Sequence, residues 1–381
     1  MKKIAIIGAS YLQEPLIAKA KKKGIETHVF AWACGDVGEK IADYFYPISI
    51  VEKEEILKKC QEIGVDGICS IASDLAAITV NYVADKMGLV GNSLECTEKS
   101  TNKALMRRCF EENGDPSPKS IKVSSVADLE NVDLQYPVIV KPVDRSGSRG
   151  ITKLSDEKGL AAAIVNAMEQ GFEKVALVEE FVEGQEYSVE YISWNGNHEF
   201  LAMTKKYTTG SPHFIETGHL QPAPISQELL EKVKNVVEHA LCSLGIEYGA
   251  SHSEIKIDEN GTIKIIEIGG RMGGDFIGST LVELSTGFDF VDAVIDIAMG
   301  EQPDVSKKHE RQAAVRFIFS EEDVEVLDKI RENHITHLYM SYVDGCVGQV
   351  VSDSSNRHGY FILTADNMEQ LEEMMCWKNS V

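Results

Sequence analysis

Two glutamates, Glu254 and Glu267, lie in apolar segments joined by the turn 258–261, whose sequence is Asp-Glu-Asn-Gly. A hairpin with this turn can place both carboxylates on one side of a sheet. Facing carboxylates repel unless a cation bridges them, and Mg²⁺ takes one or two protein carboxylates together with phosphate oxygens and water. Two solvated side chains are the alternative, but the apolar neighbours indicate partial burial. The pattern predicts a magnesium site at Glu254 and Glu267.

A lysine closes another apolar segment, and a loop with two glycines, two serines and two arginines follows it. Backbone N–H groups, hydroxyls and guanidinium groups of such a loop can surround phosphate oxygens. A solvated hairpin would explain the glycines but not the lysine, because a buried ammonium needs an anionic partner. The segment predicts a phosphate site formed by Lys141, Ser146, Gly147, Ser148 and Gly150.

A third segment, 178–186, runs from an apolar strand into acidic residues. A backbone hinge with apolar side chains can contact a flat purine, and a carboxylate can accept hydrogen bonds from ribose hydroxyls. Taken alone, the pattern is that of an ordinary acidic strand end. Beside the other two segments it predicts a nucleotide site at Glu179, Phe181, Val182 and Glu186.

Arg271 follows Glu267 within a glycine-rich stretch, 269–274, that allows close backbone approach to a ligand. Its guanidinium can hold a substrate carboxylate and neutralise charge that develops during phosphoryl and acyl transfer. A structural arginine paired with Asp275 is the competing interpretation.

Two histidines, His213 and His219, lie in the polar, aromatic segment 207–219. They can orient substrates or move protons, but no proton-transfer geometry is fixed here, so hydrogen-bonded structural roles are favoured. Their spacing is not that of a zinc motif.

The elements that must position these residues alternate between short apolar runs and helix-compatible stretches. The first hundred residues indicate a parallel α/β unit with strands at 3–7, 27–30, 46–50 and 67–70. The turn after the first strand lies at the carboxyl edge of the sheet, where Ser10 and Asp74 can line a cleft. NAD binding remains an outside alternative, because the glycine fingerprint is incomplete.

A strand-rich section follows the prolines at 116 and 118, and short apolar runs follow Pro303. We therefore expect three parts: an N-terminal α/β domain at 1–100, a central domain at 101–300 and a C-terminal αβ subdomain at 301–381. In the central part we expect strands at 138–143, 175–180, 186–193 and 200–207, and a hairpin of 249–257 with 262–268.

The composition bounds the partners. A formal net charge of −22 disfavours nucleic acid and anionic membranes, and no apolar run approaches bilayer length. The eight cysteines are scattered without a close CxxC pair, as expected for reduced thiols in a cytoplasmic protein.

The order of these segments resembles the ATP-grasp superfamily over roughly 101–300, and the first hundred residues resemble its usual N-terminal domain. The ending Glu267-Ile268-Gly269-Gly270-Arg271 is most similar to carboxylate–amine ligases that join amino acids, including the L-amino-acid ligases. The resemblance implies an α/β ATP-grasp fold with an N-terminal parallel α/β (pre-ATP-grasp) domain and a C-terminal αβ unit. It also implies ATP and Mg²⁺, for which Mn²⁺ can substitute.

By this resemblance, Lys103 and Lys141 contact ATP phosphates under the loop 146–150, and Arg271 holds the substrate carboxylate or acyl phosphate. Adenine, ribose and metal are assigned to the residues predicted above. The activity implied is an ATP-dependent ligation of a small-molecule carboxylate to an amine through an acyl phosphate, with an amino acid as substrate and with self-association allowed.

Two alternatives stay open: a purine-pathway or carboxylase-like ATP-grasp enzyme, and a catalytically silent ATP-binding regulator. One departure bears on the metal site. Many family members carry an Asn ligand two positions after the second glutamate, where this chain has Gly269. Water or a phosphate oxygen can replace that ligand, because Mg²⁺ commonly retains several waters.

Overall fold

Parallel strand pairing organises the first hundred residues. The computed structural model describes residues 1–145, 147, 149–210, 215–345, 347–351 and 353–375, without the side chain of Ser355. The N-terminal elements are β1 (Lys3–Ile7), α1 (Glu14–Lys22), β2 (Glu26–Phe30), α2 (Val37–Ile41), β3 (Tyr44–Tyr46), α3 (Lys53–Ile63), β4 (Gly67–Cys69), α4 (Asp74–Met87) and α5 (Leu94–Thr101). Their strands pair in parallel in the order β3-β2-β1-β4, which confirms the expected α/β unit.

One strand prediction in this unit is wrong. A strand was expected at 46–50, but β3 ends at Tyr46, where its pairing with Phe30 of β2 also ends. Pro47 follows directly, and proline has no N–H to donate to a strand ladder.

The next segment forms a small antiparallel sheet. Its elements are α6 (Lys103–Asn113), β5 (Ser120–Val123), β6 (Val138–Pro142), β7 (Thr152–Leu154), α7 (Leu160–Gln170) and β8 (Ala176–Glu180). The strands lie in the order β5-β8-β6-β7, and α7 packs its apolar face on the sheet through a cluster that includes Val140, Ile164 and Val178. Lys141 thus lies on a central strand, beside β8 that leads into the hinge.

A large antiparallel sheet carries the remaining predicted site residues. It is built from β9 (Gln185–Trp194), β10 (Asn197–Thr208), β11 (Glu216–Gln221), α8 (Gln227–Leu244), β12 (Gly249–Ile257), β13 (Ile263–Gly269), α9 (Val282–Thr286), α10 (Phe290–Ala298), β14 (Gln312–Phe317), α11 (Glu321–Asn333), β15 (Leu338–Val343), β16 (Gly359–Ala365) and α12 (Met368–Met375). The strand order is β13-β12-β9-β10-β11-β14-β16-β15. The β12–β13 hairpin confirms the strand pair expected around the turn 258–261.

The C-terminal strands do not form a sheet of their own. β14 pairs antiparallel with β11, so the segment after residue 300 extends the large sheet. A buried cluster of residues from β1, α1, α10 and β9 joins the N-terminal unit to this sheet. Because α4 belongs to the N-terminal unit and β13 to the large sheet, this packing brings the start of α4 beside the end of β13. Among the described helices, none is long and apolar enough to cross a membrane.

Candidate active site

A cavity of about 320 Å³ lies between the small and the large sheet. Most of the residues predicted from the sequence meet in it: Lys103, Lys141, Gly147, Glu179, Phe181, Val182, Glu186, Glu254, Glu267 and Arg271 all line its wall. Segments that are distant in the chain thus form one site. The strand ends and loops that supply them come from β6, β8, β9, β12 and β13 and from the start of α6.

The predicted phosphate loop is only partly placed. Gly147 lines the cavity, whereas Ser146 and Ser148 lie outside the described residues. Gly150 is not part of the lining; it adopts a φ of +70°, and a Cβ there would meet Pro142 and Gln170 at 3.0 Å. Its role in phosphate binding stays a prediction.

Lys103 is held at the first turn of α6, where the Asn102 side chain caps the helix by accepting from two backbone N–H groups. The lysine is buried, and its Nζ donates to Glu267 Oε1 at 2.7 Å and to the carbonyl of Arg145 at 2.8 Å. The ammonium therefore lies between the predicted phosphate loop and one of the two predicted metal carboxylates.

Lys141 forms a buried triad with Glu179 and Arg107, which the sequence analysis did not predict. Its ammonium pairs with Glu179, whose second oxygen accepts from Arg107 Nε at 3.2 Å. Burial acts to raise the pKa of Glu179, but Arg107 and Lys141 together hold it below its usual value. Burial lowers the pKa of Lys141 in spite of Glu179. Lys141 therefore has the anionic partner that its strand position required.

The hinge after β8 has a cationic lining. The ammonium groups of Lys153 and Lys256 lie 3.5 and 4.9 Å from the centre of the Phe181 ring. Lys256 also donates to the Val182 carbonyl at 3.1 Å. Because the Glu179 side chain is engaged in the triad, the hinge offers its backbone there and the side chains of Phe181 and Val182 to a flat ligand.

Glu254 and Glu267 are direct partners across the β12–β13 ladder, with a bulge immediately after Glu254. Directly opposed residues project from the same face of a sheet, as the hairpin predicted. The two carboxylates line one cavity and are each held by a lysine, Glu267 by Lys103 and Glu254 by Lys206 at 2.8 Å. They form an opposed carboxylate pair flanked by cations.

Lys206 of β10 is a cavity residue that sequence reasoning missed. Its ammonium lies 2.8 Å from both Glu186 and Glu254 and 3.6 Å from Glu216. Burial alone would lower the pKa of Lys206, but these three carboxylates raise it well above its usual value. A signal was present, since Lys206, like Lys141, is a lysine in an otherwise strand-like run.

The donor set fits Mg²⁺ better than a softer metal. Among the described residues, no three His, Cys, Asp or Glu side chains cluster as a ready-made metal site. Two opposed carboxylates suit Mg²⁺, which takes the rest of its octahedral shell from phosphate oxygens and water.

His252 extends this polar face one step along β12. Its Nδ1 hydrogen-bonds buried Glu190, its Nε2 lies 3.5 Å from Glu254, and the backbone N–H of Gly273 donates to Glu190 at 3.0 Å. Burial would lower the pKa of His252, but Glu190 and Glu254 raise it to about 9, against the effect of nearby Arg271. The ring is therefore an imidazolium at neutral pH. The sequence analysis did not single out this histidine.

We expect the free energy of unfolding to fall as pH rises from 6.5 to about 9, because His252 loses its proton there. A group whose pKa is higher in the folded state stabilises the fold fully at pH values below its unfolded-state pKa. This contribution is lost as the pH rises through the folded-state pKa. The expected change in the free energy of unfolding is about 1.4 kcal/mol for each unit by which folding shifts the pKa. Burial lowers the pKa values of His198 and His219, so these residues titrate below this window.

The measurement is urea unfolding of wild type and His252→Gln at several pH values between 6 and 9.5. The variant should lose most of the slope across the window, whatever its absolute stability. An equal slope in both proteins would show that His252 does not carry the effect.

Arg271 is paired, but not with the partner that the sequence suggested. Its Nε and Nη2 donate to the two oxygens of Asp74 at 2.8 and 3.2 Å, whereas Asp275 binds Arg357 instead. The interpretation of an Arg271–Asp275 pair is therefore wrong. Asp74, at the start of α4, lies beside the end of β13 and reaches Arg271 across the junction of the two units.

Gly269 is explained by this ion pair. A Cβ at that position would lie 2.9 Å from Asp74 Oδ1 and 3.2 Å from Arg271 Nε. A side chain at position 269 would therefore have to displace the Asp74–Arg271 pair.

The two histidines from the segment 207–219 differ in what can be said of them. His213 lies outside the described residues. His219 is buried and pairs with Lys206 across the β10–β11 ladder, and among the described residues neither ring nitrogen has a hydrogen-bond partner. Burial, then Lys206 and Arg357, lower the pKa of His219 well below its usual value. The ring is neutral.

The chain is similar to known proteins in sequence and in fold. Residues 134–279 match the family described as the ATP-grasp domain. Alanine–anticapsin ligase from Bacillus subtilis is 27% identical over 308 residues, which cover 71% of this chain and 65% of the ligase. The chain spans 55%, 65% and 58% of the length of three of the curated relatives that it matches.

Solved structures share the fold. L-amino acid ligase from Bacillus licheniformis has a TM-score of 0.83 at 23% identity, covering 99% of this chain and 96% of that one. Phosphoribosylglycinamide synthetase from Anaerococcus prevotii has a TM-score of 0.78 at 21% identity, covering 98% and 97%. The expected ATP-grasp fold is confirmed by these similarities.

Proposed function

We propose that this chain, which carries an ATP-grasp domain at residues 134–279, is an ATP- and Mg²⁺-dependent carboxylate–amine ligase. The observation that carries the proposal is the opposed pair Glu254 and Glu267, with Lys103, Lys141 and Arg271 lining the same cavity. Carboxylates for a metal, ammonium groups for phosphates and a guanidinium for a carboxylate are the groups that acyl-phosphate chemistry requires.

The chemical problem is the low reactivity of a carboxylate toward an amine, because its charge is delocalised and its leaving group would be oxide. In the proposed first step a carboxylate oxygen attacks the γ-phosphorus of ATP, the bond to the β-γ bridging oxygen breaks, and ADP leaves. The product is an acyl phosphate. No covalent protein nucleophile is required, so the protein contributes position and charge.

In the second step the neutral amine attacks the acyl carbon, and the C–O bond to the phosphate breaks. Inorganic phosphate leaves with the bonding electrons, and the amine nitrogen gives up a proton as the amide forms. Arg271 is assigned to the substrate carboxylate and later to the acyl phosphate, where a fixed guanidinium stabilises the negative oxygens. Asp74 holds two of its N–H groups and so fixes the plane of that guanidinium.

Nucleotide binding is assigned to the remaining cavity residues. Phe181 and Val182 face the purine with the hinge backbone at Glu179, and Glu186 accepts from the ribose. Lys103, Lys141 and the loop with Ser146, Gly147, Ser148 and Gly150 take the phosphates. Glu254 and Glu267 would hold Mg²⁺, or Mn²⁺ in its place, and the metal would supply neutralisation of phosphate charge.

For the substrates we propose an amino acid as carboxylate and a second small amine as acceptor. The support is the likeness to alanine–anticapsin ligase and to L-amino acid ligase, whose names state such substrates. The ligase fold is shared with phosphoribosylglycinamide synthetase, so fold alone does not choose the amine.

The test is release of ADP and phosphate from ATP and Mg²⁺ across a panel of amino-acid pairs, with mass detection of products. Phosphate release together with a condensed dipeptide supports the proposal. Turnover only with bicarbonate or a phosphorylated amine would replace it with the purine-pathway or carboxylase-like alternative. ATP binding without ADP release under all these conditions would favour the regulatory alternative.

A further inference from the structure

The C-terminal segment places an arginine at the edge of the cavity. Arg357 lies just before β16, and its side chain is only 8% exposed. Its Nη2 donates to both oxygens of Asp275, at 2.8 and 2.9 Å, and its guanidinium carbon lies 3.6 Å from the centre of the Phe317 ring. A buried, stacked arginine of this kind is fixed in orientation.

The same guanidinium also binds two segments of the cavity wall. Its Nε donates to the carbonyl of Ser354 at 2.9 Å, and its Nη1 reaches the carbonyl of Glu216 at 3.4 Å. Ser354 and Glu216 both line the cavity. One side chain thus ties together three stretches of chain that are distant in sequence: the start of β11, the loop after Arg271 and the turn before β16.

The loop that Arg357 holds is under backbone strain. Asp275 and Phe276 both adopt positive φ, at 48° and 68°, although neither is glycine. Such residues cost of order 1–3 kcal/mol each and persist only where the surroundings hold them. Here two contacts hold the loop: the hydrogen bonds from Arg357 Nη2 to both oxygens of Asp275, and the packing of the Phe276 ring, whose centre lies 4.3 Å from that of Tyr360.

The three stretches that Arg357 ties together, around Glu216, Asp275 and Ser354, form one wall, and this wall lies beside the groups assigned to the substrate. Glu216 is 3.6 Å from Lys206, which also binds Glu254, and Asp275 follows Arg271 by four residues. The groups assigned to the metal and to the substrate carboxylate are therefore its neighbours. Lys206 also pairs with Glu186, which is assigned to the ribose, whereas the hinge assigned to adenine is on another strand end.

We propose that Arg357 is a positioning residue that fixes the substrate-facing wall, so that the C-terminal segment, outside the matched domain at 134–279, sets the affinity for the amino-acid substrates. Arg357 acts through Asp275 and the Glu216 and Ser354 backbones rather than on the reacting atoms. The kinetic part of this inference rests on the proposed ligase function.

The kinetic test compares Arg357→Ala with Arg316→Ala. Arg316 is a matched control because, like Arg357, it is a largely buried arginine paired with an aspartate, here Asp323, but it lies on the face of β14 opposite to Phe317. Arg357→Ala should raise the KM of an amino-acid substrate about 10–100-fold, as expected when positioned groups shift, and the KM of ATP by a clearly smaller factor, because the link from this wall to the nucleotide residues runs through Lys206. Arg316→Ala should change neither the KM of the amino-acid substrate nor the KM of ATP.

A second readout does not depend on turnover. Hydrogen–deuterium exchange should increase together in peptides covering 215–218, 274–277 and 353–358 in Arg357→Ala, and not in Arg316→Ala. If wild type ligates no amino acids, the proposed function fails while the exchange result still tests the wall. Unchanged exchange in these peptides, or equal KM effects in the two variants, would overturn the inference.

Discussion

Glu267→Gln is expected to lower turnover by about 10²–10³, the loss typical of removing one preorganised charged contact. The glutamine keeps the size of the side chain but removes the negative charge that faces Glu254 across the hairpin and holds Lys103 at 2.7 Å. Both the metal pair and the position of a phosphate-binding ammonium are therefore weakened. The measurement is the steady-state rate of phosphate release at saturating ATP, over a range of Mg²⁺ concentrations.

The matched control is Glu259→Gln, an exposed glutamate in the turn of the same hairpin. It removes one negative charge from the same element at a distance from the cavity, and its turnover should stay near that of wild type. Near wild-type turnover in Glu267→Gln at every Mg²⁺ concentration would remove this carboxylate from the metal site.

Arg271→Ala is expected to lower turnover by a similar factor, about 10²–10³. The guanidinium is assigned to the reacting carboxylate, and its removal also leaves Asp74 without its bidentate partner. ATP affinity should change much less than the rate, because the proposed nucleotide contacts are on other strands. The rate of phosphate release and the binding of ATP by calorimetry measure the two effects separately.

A loss of folding could imitate this result, so the double variant Arg271→Ala with Asp74→Ala is the control. Removing both partners leaves no unpaired buried carboxylate, so the double variant should recover stability but not activity. A double variant that recovers turnover would show that Arg271 is only a structural partner of Asp74.

Local patterns made part of this molecule predictable. The opposed carboxylates could be predicted from two apolar runs and the turn between them, because a hairpin pairs segments that are adjacent in sequence. Lys141 followed from a different local conflict, a charge at the end of an apolar strand, and the conflict is resolved by Glu179 and Arg107.

Contacts between distant segments were not predictable in this way. Asp74 and Arg271 are 197 positions apart, and Arg357 and Asp275 are 82 apart. No periodicity relates such residues, because their meeting depends on how the two units pack and on β14 joining the large sheet. From the sequence, the alternative structural partner of Arg271 was therefore Asp275, four residues further along the chain.

The central claim is that the substrate carboxylate is activated as an acyl phosphate. It is tested most directly by single-turnover ligation of an amino acid labelled with ¹⁸O in its carboxylate, with mass analysis of the phosphate released. The account predicts that one labelled oxygen passes from each carboxylate to phosphate, because that oxygen bridges carbon and phosphorus in the intermediate. Condensed product accompanied by unlabelled phosphate would contradict it.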